Sequence, residues 1–224
     1  QGKDLGAKQV VLQDQLRYRD ILVYHRRGYT GLPSFAPVQN PCFYKFFSLH
    51  SVNGYAGREN GPAFITLNTN STLKGVVLYY PNQNADAEPT PYPWAIAMRG
   101  KNPAVLAVEM LNPFNGIDAT RNERHLIRDV HGQPIRRGVL VDSIYDIGRI
   151  ENVHFNPWWS MKPRLFQWQM ENAEAFLFGR SDWQYVYNTF CFGYRVGYRF
   201  IKTDSGVCNG TFLGIGADDC QTAL

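Results

Sequence analysis

Short runs of alternating apolar and polar residues recur along the chain, separated by turns rich in Gly, Asn, Asp and Pro. Such runs are residues 72–81 (TLKGVVLYYP), 105–114 (VLAVEMLNPF), 126–131 (LIRDVH), 138–142 (GVLVD), 149–158 (RIENVHFNPW), 185–192 (YVYNTFCF) and 207–213 (VCNGTFL). Their Val, Ile, Phe and Tyr content and period of two predict short β-strands. Several runs share a small or polar residue between apolar neighbours, a slot that Asp129, Asn152, Asn188 and Asn209 fill. Asp129 and Asn152 lie 23 residues apart, and Asn188 and Asn209 lie 21 apart. A recurrence near two dozen residues is the spacing of a β-solenoid coil, whereas a β-sandwich places strands about 8–12 residues apart. Asn suits such a slot because it tolerates a left-handed backbone and its amide can bond to the same residue of the next coil. The pattern therefore predicts an all-β solenoid with these side chains turned inward.

Two segments interrupt the recurrence. Residues 81–93 (PNQNADAEPTPYP) read as an exposed loop, and residues 156–172 (NPWWSMKPRLFQWQMEN) as an aromatic insertion with one helical turn after Pro163. Residues 1–60 predict strands at 10–12 and 21–24 and an aromatic run at 42–49. They read as an irregular N-terminal cap on the same domain, with the coils occupying 61–224.

Composition narrows the function classes. The 224 residues are 44% hydrophobic and 19% charged, which excludes a disordered chain. No apolar run reaches the length of a membrane-spanning helix. The net charge of +4 is scattered, with doublets only at Arg26-Arg27 and Arg136-Arg137, so no nucleic-acid partner is expected. Cys42, Cys191, Cys208 and Cys220 are too few for a disulfide scaffold; one bridge among them fits a secreted chain, with the pair left open. Asn70-Ser71-Thr72 and Asn209-Gly210-Thr211 match the glycosylation sequon, the first at a turn and the second in a strand.

The stretches 61–83 (GPAFITLNTNSTLKGVVLYYPNQ), 91–96 (PYPWAI), 148–159 (GRIENVHFNPWW), 178–200 (FGRSDWQYVYNTFCFGYRVGYRF) and 209–220 (NGTFLGIGADDC) resemble the pectate-lyase-like superfamily, nearest to bacterial secreted members. The resemblance covers about three quarters of the chain and implies a right-handed parallel β-helix. It also implies an extracellular protein acting on polysaccharide as a lyase or glycoside hydrolase. The alternative is a non-catalytic structural or adhesive unit that associates with itself or with further coils. The resemblance implies no cofactor for a hydrolase and calcium for a lyase.

Carboxylates come first among the candidate site residues, since glycosidic hydrolysis requires two at a defined separation. Asp218-Asp219-Cys220 resembles the Asp-Asp-Cys of polygalacturonase-type hydrolases. It departs from that pattern in the preceding Ala217, in Asn188-Thr189-Phe190 standing for Asn-Thr-Asp, and in missing Gly-His-Gly and Arg-Ile-Lys signatures. A solvated turn explains the tripeptide equally well. Asp118 and Asp142 each close a Gly-led strand and are expected to stack one coil apart, and Asp146, Glu151 and Asp182 are further candidates. Arg180, Arg195, Arg199 and Lys202 suit uronate carboxylates, or else pair with Asp182 or Asp204 at coil edges. Trp158, Trp159, Trp168 and Trp183 cluster within 26 residues, where they can stack on sugar rings, pack on one another or form a subunit contact. His125, His131 and His154 read as hydrogen-bonded structural histidines.

Overall fold

The computed structural model describes residues 55–224 and, before them, the backbone of three strands, β1 (Ala7–Gln9), β2 (Leu22–Arg26) and β3 (Phe47–Leu49). In chain order there follow β4 (Ile65–Leu67), β5 (Thr72–Lys74), β6 (Val76–Tyr79), β7 (Trp94–Met98), β8 (Gly100–Lys101) and β9 (Ala104–Met110). Then come β10 (Asn115–Thr120), β11 (Asn122–Glu123), β12 (Leu126–Gly132), β13 (Arg137–Asp142) and β14 (Gly148–Phe155). Helix α1 (Pro163–Asn172) precedes β15 (Glu174–Phe178), β16 (Ser181–Phe192), β17 (Val196–Phe200) and β18 (Cys208–Asp218). The predicted strand at 10–12 lies outside the described residues.

From β4 onward the chain passes back and forth between two open parallel sheets. Sheet A carries β6, β9, β12, β14, β16 and β18 in that spatial order, with β5 also on β9; sheet B carries β4, β7, β10, β13, β15 and β17. Each return lands one place further along its sheet, in parallel register. β2 and β3 pair antiparallel with β6 and β4, so N-terminal strands cover the first parallel strand of both sheets.

Stacked side chains fill the space between the sheets. Ile65, Ile96, Ile117, Val139, Phe176 and Tyr198 share one register position on sheet B. Leu73, Val105, Ile127, Ile150, Val186 and Phe212 share one on sheet A. Phe176 stacks on Tyr198 at 4.8 Å and on Phe155 at 5.1 Å. Rings this large fit only because small residues face them: a Cβ on Gly138 would meet the Phe155 ring at 2.4 Å and the Ala175 carbonyl at 2.3 Å.

A second column explains how each sheet A strand bends. Ala107, Asp129, Asn152 and Asn188 all take positive φ, between 50° and 55°. The strand registers align them with one another and with Gly75 and Gly214, which are also left-handed. Only Gly, Asn and Asp enter this region at low cost, so Ala107 is the strained member. Asn152 donates to Asp129 Oδ1 at 2.7 Å, and Asn188 donates to Asn152 Oδ1 at 3.3 Å. The column thus contains three of the four residues expected in it, but it faces solvent instead of the interior. Asn209 falls outside it, because the β16–β18 register sets Gly214, five residues further along, level with Asn188. Asn209 instead accepts a hydrogen bond from the Trp183 amide at 2.8 Å.

Both interruptions sit on connections from sheet A to sheet B. Residues 81–93 are pinned rather than freely exposed: the Gln83 amide bonds both ways with the Thr90 backbone, and Tyr92 is buried. The second interruption forms a ten-residue helix with Pro163 in its first turn, longer than the single turn expected. α1 buries Leu165 and Gln169, four residues apart on one face.

Candidate functional site

The left-handed residue in each sheet A strand resets the alternation, so three columns of side chains face outward. Leu126, Arg149, Tyr185 and Thr211 form the first. Arg128, Glu151, Tyr187 and Leu213 form the second, and His131, His154 and Phe190 the third. Between the first two columns lies a shallow open groove of about 450 Å³, lined by Arg149, Glu151, Tyr185, Tyr187, Thr211 and Leu213.

Large apolar surface stands open here. Tyr187 is 56% and Leu213 60% exposed, and Tyr185 is also exposed. The Arg149 guanidinium lies 5.9 Å from the centre of the Tyr185 ring, a cation–π contact that orients both groups. Arg128 reaches Glu151 at 3.9 Å. The third column is covered by Trp158, whose ring lies 4.8 Å from His154 and 6.3 Å from His131, while Phe190 closes on His154 at 5.0 Å. Burial, then the neighbouring His131, lowers the His154 pKa, so this aromatic flank is uncharged at neutral pH at that position. Chemically, the face offers flat rings for stacking and a cation, an anion and hydroxyls for hydrogen bonding.

The sequence-selected tryptophans do not form one patch. Trp158 covers the third column, and Trp183 stands 46% exposed at the start of β16, two residues before Tyr185. Trp168 points from α1 onto Phe114 at 5.8 Å and joins the core, and Trp159 is half-buried in the turn before the helix.

The carboxylates are dispersed. Asp118 is nearly buried on the outer side of sheet B, ion-paired with Arg99. Its register partner one coil on is Leu140, and Asp142 pairs with Thr120, so the expected stacking of Asp118 on Asp142 does not occur. Asp142 accepts hydrogen bonds from the Arg180 amide at 2.7 Å, the Thr203 hydroxyl at 2.8 Å and the Ser143 hydroxyl at 3.3 Å. Asp182 pairs with Arg180 at 2.8 Å. Asp218 accepts from the Asp219 amide at 2.8 Å, and both are exposed at the end of β18. Among the cations, Arg180 also lies 5.8 Å from the Tyr145 ring, Arg199 binds Glu174 on sheet B, and Lys202 is exposed.

The described residues contain no group of three His, Cys, Asp or Glu side chains placed to hold a metal. Cys191, Cys208 and Cys220 are free thiols; Cys42 lies outside the described residues. His125 is the structural histidine expected, fully buried with Nδ1 2.9 Å from Asn122 Oδ1. Sequence reasoning missed Arg149, Tyr185 and Tyr187. The available signal was the Trp183-x-Tyr185-x-Tyr187 alternation, which puts three rings on one side of a strand. No family model matches the chain, and no curated protein or solved structure matches it either.

Proposed function

We propose that the chain winds as a right-handed parallel β-helix and binds an extracellular polysaccharide along the outer face of sheet A, without cleaving it. The helical reading is supported by strands that alternate between two sheets and advance one place at each return. Parallel crossovers are right-handed in nearly all proteins, which supplies the hand. The binding reading rests on one observation: the open groove in which Tyr185, Tyr187 and Leu213 are exposed beside Arg149 and Glu151. Sugar rings present apolar C–H faces to aromatic rings and hydroxyls to charged groups, and both partners occur here at strand spacing.

Binding without cleavage is favoured because most of the carboxylates considered for catalysis are held by other partners. Asp118 faces Arg99, Asp142 takes three donors, Asp182 faces Arg180, and Asp218 caps the next amide. Glycosidic hydrolysis needs two carboxyls about 5–9.5 Å apart across one bond.

Affinity electrophoresis of the protein through gels containing neutral and acidic plant or bacterial polysaccharides tests the proposal. At least one polymer should retard the protein, and Tyr185→Ala with Tyr187→Ala should abolish the retardation. Retardation indifferent to both changes, or none with any polymer, overturns the groove. Release of reducing ends or unsaturated uronates, lost in Asp142→Asn or Asp218→Asn, would establish a catalyst instead.

A further inference from the structure

On the outer side of sheet B, away from the groove, one carboxylate is surrounded by arginines. Glu174 opens β15 with its side chain only 3% exposed. From the preceding coil, Arg136 approaches it at 3.5 Å and Arg137 at 3.7 Å. From the following coil, Arg195 and Arg199 both bind its Oε1, Arg195 at 2.7 Å. Glu59 contributes a second carboxylate, 2.6 Å from Arg137. Four guanidiniums against two carboxylates leave a formal excess of two positive charges.

The cluster divides into a structural half and an open half. Arg136 is mostly buried and also donates to the Asn172 carbonyl at 2.6 Å, while Arg137 is held by Glu59 and Glu174. Arg195 and Arg199 are 37% and 47% exposed, and among the described residues the side chain of each has Glu174 as its only hydrogen-bond partner. A guanidinium carries five N–H donors, so most of theirs remain unspent. Because both contact the same oxygen atom, the two guanidiniums lie close together, and both side chains are exposed. Burial alone would raise the Glu174 pKa, but the hydrogen bond from Arg199 and the charges of Arg199, Arg136 and Arg195 hold it below the usual carboxylate range. The buried carboxylate therefore stays ionised and fixes the arginine geometry before any ligand arrives.

We propose that Arg195 and Arg199 form an oxyanion-binding site on sheet B, oriented by Glu174, that takes a carboxylate or sulfate group carried by an acidic polysaccharide. Paired guanidiniums suit such groups because parallel N–H donors match two oxygens of one anion. The site stands independently of the sheet A groove and would take an anion even if that groove binds nothing.

Titration calorimetry at fixed ionic strength, balanced with chloride, tests it with three probes: sodium sulfate, an oligogalacturonate and a neutral xylo-oligosaccharide. The two anions should bind, and the neutral sugar should give no heat that depends on these arginines. Arg199→Gln, which leaves Arg136, Arg137 and Arg195 on Glu174, should weaken binding about tenfold or more. Arg164→Gln, on the exposed surface of α1, should leave it unchanged. Binding of both anions, lost together in Arg199→Gln, identifies a general oxyanion site. Loss confined to the oligogalacturonate identifies a site requiring the polymer. Anion binding unaltered by Arg199→Gln, or equal loss in Arg164→Gln, overturns the proposal. Tyr185→Ala with Tyr187→Ala should not change sulfate binding, which separates this site from the groove.

Discussion

Acid should destabilise this protein through His125. The ring is fully buried, its Nδ1–H donates to Asn122, and its Nε2 has no hydrogen-bond partner among the described residues. Gly148 packs against this edge of the ring: a Cβ there would lie 2.3 Å from the His125 Cε1. Burial first, and the charge of Arg149 second, push the folded pKa from 6.5 to about 4. The unfolded chain therefore binds a proton across this interval that the folded chain does not. Stability from this group is fully present above pH 6.5 and is lost as pH falls from 6.5 toward 4. With 1.36 kcal/mol per unit, the loss by pH 4 is about 3 kcal/mol. Urea denaturation at pH 7.5, 6, 5 and 4, on the wild type and on His125→Gln, measures it. Gln can still donate to Asn122 but cannot protonate, so the variant should start less stable and decline less steeply, the two curves converging by about 3 kcal/mol. Parallel curves across that range would refute the argument.

Other parts of the fold make their own predictions. Phe176→Ala removes a ring stacked between Phe155 and Tyr198 and should cost about 3–5 kcal/mol in chemical denaturation. Ala107→Asn should stabilise the protein by about 1 kcal/mol, because Asn relieves the left-handed strain and places an amide beside Asp129; an unchanged denaturation midpoint would contradict this. A hydrogen bond from Cys191 lowers the Cys220 pKa to about 7, whereas burial raises that of Cys208 to about 11. Iodoacetamide followed by peptide mapping should therefore modify Cys220 near neutral pH well before Cys208, and the reverse order would disprove the assignment.

The left-handed column could be read in the sequence because few residues tolerate that backbone, so Asp129, Asn152 and Asn188 were marked by chemistry as well as by spacing. Its outward orientation could not, since a positive φ breaks the simple in–out alternation that a strand pattern assumes. Asn209 misled because its distance from Asn188 resembles one coil, whereas the position level with Asn188 lies five residues further on and is filled by Gly214, between the apolar Leu213 and Ile215. Asp118 and Asp142 close similar-looking strands, but they sit two positions out of register, which depends on where each strand begins pairing. The groove was obscured because Tyr185-Val186-Tyr187 reads as a buried run, although only Val186 is inside. The length of α1 depends on the tertiary burial of Leu165 and Gln169, not on helix propensity.

The two long connections have a practical use. Residues 81–93 and the segment leading into α1 approach each other, joined by Lys162 to Asp86 and by Arg164 to Glu88 at 3.6 Å. Both depart from the same flank of the molecule, and the strands before and after each keep parallel register with their neighbours. Extra polypeptide is thus accommodated on that flank without disturbing the ladder. A fluorophore-bearing graft between Asp86 and Glu88 would sit on that flank, in a connection the strand ladder already accommodates.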